Sequence, residues 1–251
     1  MSQNVLVVHG GGPTAVINAS LYGVIEEAKR NPEVGKVYGA IGGTGAIFSE
    51  TFIDLTSFDD EKLKLLLHTP ASAIGSSRYP LYEKDYEKMV DIFKKHDIKY
   101  VLLNGGNGTM DACGHIYEVC KDQDIKVVGI PKTIDNDIAM TDHSPGYGSA
   151  ARFIAASTQE VGEDVKSLPI HVCIMEAMGR NAGWITAASA LARRKQGDAP
   201  HLIYLPERNF NEDEFLEDVS RLQKKQGGVV VLVSEGLHDA NGESIVPPIF
   251  K

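Results

Sequence analysis

Two carboxylates, Asp135 and Asp137, stand two residues apart in the run Pro131-Lys132-Thr133-Ile134-Asp135-Asn136-Asp137, directly after an apolar stretch. A carboxylate beside an alcohol can take its proton, while a lysine and a threonine alongside can hold a transferring phosphoryl group. The competing reading is an Asx-turn with a surface lysine. Two glycine-rich runs offer a complementary chemistry. Gly10-Gly11-Gly12-Pro13-Thr14 follows one apolar run, and Asn104-Gly105-Gly106-Asn107-Gly108-Thr109 follows another. Glycines between a strand and a helix let the backbone approach a ligand, leave N–H groups facing it, and place an anion at the helix N-terminus. They serve tight turns equally well, and neither run is GxGxxG or the P-loop pattern. Arg180, in Met178-Gly179-Arg180, can meet a phosphate bidentately as a lysine cannot. Arg78, in Gly75-Ser76-Ser77-Arg78-Tyr79, is a further candidate cation. Taken alone, Arg180 reads as readily as a surface side chain, and an isolated loop arginine such as Arg78 is usually just solvated.

These residues need elements to carry them. Val5-Leu6-Val7-Val8-His9 reads as a buried strand, followed by the glycines and a helix over Ala15 to Arg30. Ile98 to Leu103 and Lys126 to Ile130 read as core strands, with a helix beginning near Thr109 between them. Further on, strands are predicted over Ile170–Met175, His201–Leu205 and Gly228–Val233, with helices over Ala182–Arg194 and Asn211–Gln226. The stretch from Glu33 to Lys84, rich in glycine, gives no clear pattern. Short apolar strands alternating with helices predict βαβ units and a mainly parallel sheet, with ligands beyond the strands' C-terminal ends. The texture changes between Ile134 and Gly148, so two α/β lobes are expected, 1–147 and 148–251.

The 251 residues, 43% of them hydrophobic, suffice for a real core. A net charge of −9 opposes binding to nucleic acid or an anionic membrane, yet leaves room for a small anion held by local cations and backbone N–H groups. No apolar run approaches the roughly 20 residues that cross a bilayer, and no basic leader opens the chain, so a cytoplasmic protein is expected. Cys113, Cys120 and Cys173 form no close ligand pair, and the histidines show no zinc spacing.

The glycine run from Gly11 to Asn18, the Gly105–Thr109 turn, the Thr133-Ile134-Asp135-Asn136-Asp137 motif and Met178-Gly179-Arg180 resemble, in order and spacing, the 6-phosphofructokinase family. The resemblance implies two doubly wound, mainly parallel-sheet lobes: a donor-phosphate lobe and a sugar-phosphate lobe. It implies phosphoryl transfer to the 1-hydroxyl of fructose 6-phosphate, with Mg2+. Asp135 is then the base, Asp137 supports the site nearby, and Thr133, beside Lys132, contacts the transferring group. Gly11, Arg78, Tyr79 and Gly106, Asn107, Gly108 and Thr109 face the donor, with Asn107 on the metal side. Met178, Gly179, Arg180 and Glu235 approach the sugar phosphate. His171 occupies the place where a neighbouring subunit's arginine reaches that phosphate, so a homo-oligomer is implied.

The sequence departs from the family pattern at several places. Asn107 stands where the family has a metal-side Asp, and His171 carries a full charge only when protonated. The family continues past the position of Lys251 with further phosphate-gripping residues, so the second lobe is expected to be incomplete at its C-terminus. Members use ATP or pyrophosphate. Gly108 leaves space for a nucleotide's α-phosphate, where pyrophosphate users usually carry Asp. Lys132 points the other way, since the simplest ATP users have glycine there. With steric exclusion given more weight, ATP is the expected donor and pyrophosphate the alternative. A catalytically incomplete, phosphate-binding piece is the third reading.

Overall fold

The computed structural model describes residues 3–245; the ends of the two expected lobes, 1–2 and 246–251, lie outside the described residues. The chain divides into two compact units, one running to Thr133 and the other from Ile134. That boundary falls at the start of the stretch from Ile134 to Gly148, and Ile134 and Tyr147 both pack on the second unit's apolar core.

The first unit runs β1 (Gln3–His9), α1 (Ala15–Arg30), β2 (Val34–Ala40), α2 (Gly45–Phe48), β3 (Phe52–Asp54), α3 (Asp60–Lys64), α4 (Glu83–Lys95), β4 (Ile98–Gly105), α5 (Asn107–Cys120) and β5 (Lys126–Pro131). Its sheet has the order β3-β2-β1-β4-β5, parallel except for β3. The central strand β1 reads as an unbroken apolar run because both of its faces are covered. Leu6 and Val8 pack with Met89, Phe93 and Ile116, from α4 and α5. Val5 and Val7 pack with Leu21 and Ile25 of α1 on the other face. The helix α1 ends with Lys29 and Arg30 in its last turn, where cations complement the helix dipole.

The second unit runs α6 (Tyr147–Ser167), β6 (Val172–Ala177), α7 (Trp184–Ala188), β7 (Leu202–Tyr204), α8 (Glu212–Gln226) and β8 (Val229–Ser234). Its strands are all parallel, in the order β6-β8-β7. Val230 and Leu232 of β8 are buried against Ile154 of α6 and Ile185 of α7. The single helix predicted over 182–194 is shorter: α7 gives way to a 3-10 turn over Ser189–Ala192. Its start is set by Gly183, whose N–H donates to Glu207 Oε1 at 2.7 Å. All three cysteines are free thiols; Cys113 and Cys120 are buried, and burial pushes the Cys120 thiol up to about 11. No described helix is long and apolar enough to cross a membrane.

Candidate functional site

In the first unit, three turns follow the C-terminal ends of the adjacent parallel strands β1, β4 and β5. The β1 and β4 turns interlock at Thr109. A side chain added at Gly10 or Gly105 would overlap the Thr109 hydroxyl, so both positions must be glycine for this threonine to sit between them. Lys132 ties in the third turn. Its N–H donates to Gly105 O at 2.8 Å, and its ammonium donates to Gly12 O. This lysine is buried, so the surface reading of its side chain does not hold. Its positive charge lies against the first glycine turn. Thr133, next in the chain, is also buried.

Two helix N-termini open from these turns. Gly106 caps α5 and Thr14 caps α1, neither with a side-chain hydrogen bond, and neither helix has an acidic residue in its first turn. Uncapped N–H groups and the positive ends of the helix dipoles suit an anion. Asn107 and Gly108 are exposed in the first turn of α5, and a side chain at Gly108 would meet nothing within 4 Å. Packing therefore does not require glycine there.

The Arg78 loop is fastened to the β1 turn. Gly11, at φ +74°, donates to Ser77 O at 3.2 Å, and Ser76 Oγ donates to Gly11 O at 2.7 Å. Gly43 makes room for this strap, since a Cβ there would lie 2.5 Å from Ser77 Oγ and 2.8 Å from His9 O. Arg78 is exposed, and Tyr79 packs its ring 5.8 Å from that of Phe48 beside α2. His9, at the end of β1, is fully buried; burial first and the Lys132 charge second push its pKa down to about 4.

In the second unit, the two carboxylates flank Asn136, which adopts φ +55°. The Asn136 side chain closes the loop, accepting from Ser144 N at 2.7 Å and donating to Asp142 O at 3.4 Å. The Asx geometry is thus real, but Asn136 supplies it, leaving half-buried Asp135 and Asp137 on either side. The turns after β6 and β8 lock together in the same way. Gly179 N donates to Glu235 Oε1 at 3.1 Å, Ser234 Oγ donates to Gly179 O at 3.0 Å, and Glu235 N donates to Ala177 O at 2.9 Å. Gly179 takes φ +113°, and the Arg180 carbonyl fills the space that a side chain at Gly236 would need. Glu235 therefore braces the turn that carries Met178 and Arg180, both exposed.

His171 is not brought to that turn. It precedes β6 whereas Met178 follows it, and seven residues of extended chain span roughly 23 Å. Three residues without an expected role prove to shape the turns: Asn136, Glu207 and Ser234. Asn136 carried a signal, its tolerance of left-handed backbone; the other two act through contacts distant in sequence.

Mainly parallel sheets with glycine-rich turns at their strand ends define an α/β protein, a class in which ligands sit beyond the strands' C-terminal ends. The sequence profile of the phosphofructokinase family matches residues 4–249. The chain belongs to the phosphofructokinase family. It is 44% identical, over 96% of its length, to the pyrophosphate–fructose 6-phosphate 1-phosphotransferase of Rhodospirillum rubrum, and spans 60% of that protein. A pyrophosphate-dependent phosphofructokinase structure from Nitrosospira multiformis, 38% identical, matches with a TM-score of 0.88 over 97% of this chain and 63% of that one. An ATP-dependent 6-phosphofructokinase from Amycolatopsis methanolica is 30% identical over 94% of this chain and 52% of that protein.

Proposed function

We propose that the protein transfers a phosphoryl group from inorganic pyrophosphate to the 1-hydroxyl of fructose 6-phosphate. The observation that carries the phosphoryl reading is the Lys132 tie: one buried ammonium and one backbone N–H join the three turns at which α1 and α5 present uncapped N-termini. Gly11, Gly106, Gly108, Thr109, Arg78 and Tyr79 would surround the donor, with Lys132 and Thr133 at the transferring group. Asp135 would take the proton of the attacking hydroxyl, and Asp137 would support it. Met178, Gly179, Arg180 and Glu235 would hold the sugar phosphate, with His171 serving a neighbouring copy in a homo-oligomer. Little covalent chemistry falls to the protein in such a transfer; it positions the reactants and stabilises charge.

The family resemblance also implies Mg2+. No three or more His, Cys, Asp or Glu side chains gather into a metal-binding group among the described residues, and the candidate ligand is the exposed amide of Asn107. That donor set suits an ion carried in on the phosphoryl donor, whose phosphate oxygens and water complete an oxygen shell. Bound there, the ion would supply charge neutralisation at the transferring group.

The donor choice reverses the expectation drawn from Gly108. Similarity along the whole chain favours pyrophosphate, at 44% identity against 30% for the ATP-dependent relative. The buried Lys132, the feature that pointed to pyrophosphate, donates to Gly12 O in one of the turns read as facing the donor. Gly108 still favours the ATP reading, because the space beside it is open. Initial rates with fructose 6-phosphate and each donor test the proposal. Pyrophosphate should support faster turnover than ATP; the reverse order overturns the donor choice, and a folded chain inactive with both overturns the enzyme reading.

A further inference from the structure

His9 has no part in the proposed chemistry, yet it sits fully buried at the C-terminal end of β1, on the same face as apolar Val5 and Val7. A histidine in such a place costs desolvation that leucine would not. Its contacts define what it does. Nδ1 lies 2.7 Å from Ser72 Oγ, and Ser72 Oγ donates to Gly75 O at 2.6 Å. A carbonyl only accepts, so the single hydroxyl proton of Ser72 is committed to Gly75, and His9 Nδ1 must donate to Ser72. The ring is therefore held as the Nδ1–H tautomer, with Nε2 buried and without a hydrogen-bond partner. From Gly75, at φ +72°, the chain runs through Ser76 and Ser77, both bonded to Gly11, and reaches Arg78. The Arg78 guanidinium is exposed, so the backbone of this loop alone sets where it starts.

We propose that His9 is a positioning residue for the donor side: through Ser72 it fixes the Gly75–Tyr79 loop, and hence Arg78, against the glycine turn after β1. The inference rests on the reading of Arg78 as a donor contact. A donor contact contributes only when it is held in the right place, so a relay of short bonds from the central strand is a suitable anchor.

Three variants test it: Ser72→Ala, which removes both bonds, His9→Leu, which keeps the bulk, and His9→Asn, whose amide can replace Nδ1–H. Amide exchange at Gly75 and Gly11 should accelerate at least about tenfold in the first two and return toward wild type in the third. The KM for pyrophosphate should rise about tenfold in the same two variants, with kcat and the KM for fructose 6-phosphate within about twofold, and His9→Asn should restore it. Nitrogen NMR of labelled histidine should read a protonated Nδ1 and bare Nε2 at neutral pH. Unchanged exchange in both disruptive variants, Asn behaving like Leu, or the opposite tautomer overturns the proposal. Exchange and tautomer need no turnover, so a chain inactive with pyrophosphate fails the donor reading while these two readouts still decide the positioning role.

Discussion

The interlock of the two glycine turns makes a quantitative demand on Thr109. In Gly10→Ala the new methyl group would overlap Thr109 Oγ1 and lie 3.1 Å from its Cγ2 and 3.2 Å from its Cβ. All three contacts are with one side chain. Overpacking of this kind costs about 1–3 kcal/mol, and the buried site points to the upper end. Thr109→Ala removes the first two contacts at a cost of about 1 kcal/mol for the lost packing. The double variant should therefore lose about 2 kcal/mol rather than the sum of about 4, a coupling of about 2 kcal/mol. Gly105→Ala supplies the control. Its methyl would also stand 2.6 Å from Thr109 Cβ and 2.7 Å from Gly10 O, atoms that Thr109→Ala leaves in place, so no rescue is expected. The lone tryptophan, Trp184, lies in the second unit and does not report on the first. Urea-dependent amide exchange in β1 and β4 is the suitable assay. Additive losses within about 0.5 kcal/mol for Gly10→Ala and Thr109→Ala, or equal rescue of Gly105→Ala, would refute the interlock.

Asp135→Asn should cut turnover by about two to four orders of magnitude while leaving donor binding largely intact; near-normal turnover removes Asp135 as the base. Gly108→Asp meets no packing obstacle and adds an acid to the first turn of α5, worth about 0.3–1 kcal/mol of helix stability. It should lower ATP use at least about tenfold more than pyrophosphate use, and equal losses would show that position 108 does not discriminate between donors. His9 makes stability depend on pH: with a folded-state pKa of about 4 against an ordinary 6.5, the unfolded chain takes the proton first. Its contribution is complete above pH 6.5 and is lost as pH falls from 6.5 toward 4, by at most about 3 kcal/mol. Burial lowers the His201 pKa as well, with the same sign. The measurement is thus the difference between wild type and His9→Asn in urea midpoints between pH 6.5 and 5, where the variant should show the flatter slope; equal slopes would contradict a neutral buried His9.

How far the fold can be read from sequence depends on how each element is buried. The strands β1, β4 and β8 are legible as apolar runs because both faces are covered, and α1 matches its expected limits of Ala15 and Arg30. The α8 start is legible because Asn211 accepts from Glu214 N at 3.2 Å, an N-cap with acids following it. By contrast, the stretch between 33 and 84 holds a strand interrupted by glycines, a three-residue strand and short helical turns, none long enough to show a period. Helix α6 gives a faint signal for another reason: its buried positions are Ala151, Ile154, Thr158 and Val165, a stripe diluted by a small and a polar residue. The predicted helix over 182–194 ends early because its apolar period says nothing of hydrogen-bond geometry, which turns 3-10 after Ala188.

The candidate site divides along a different line. Residue types in turns after strands are visible locally, which is why the motifs stand out. What holds the turns is not local: Lys132 reaches Gly12 across 120 positions, His9 reaches Ser72 across 63, and Glu235 reaches Gly179 across 56. A turn's composition therefore suggests a ligand, while its shape is set by partners that no window of sequence contains. The same distinction governs the donor question. The argument from Gly108 rests on one missing side chain in an open space, where packing within the protein does not require glycine. Lys132, in contrast, is buried and its ammonium donates to Gly12 O, so its side chain is part of what joins the turns. The join between the turns therefore depends on the lysine and not on the missing side chain at 108, which makes the lysine the more informative of the two positions.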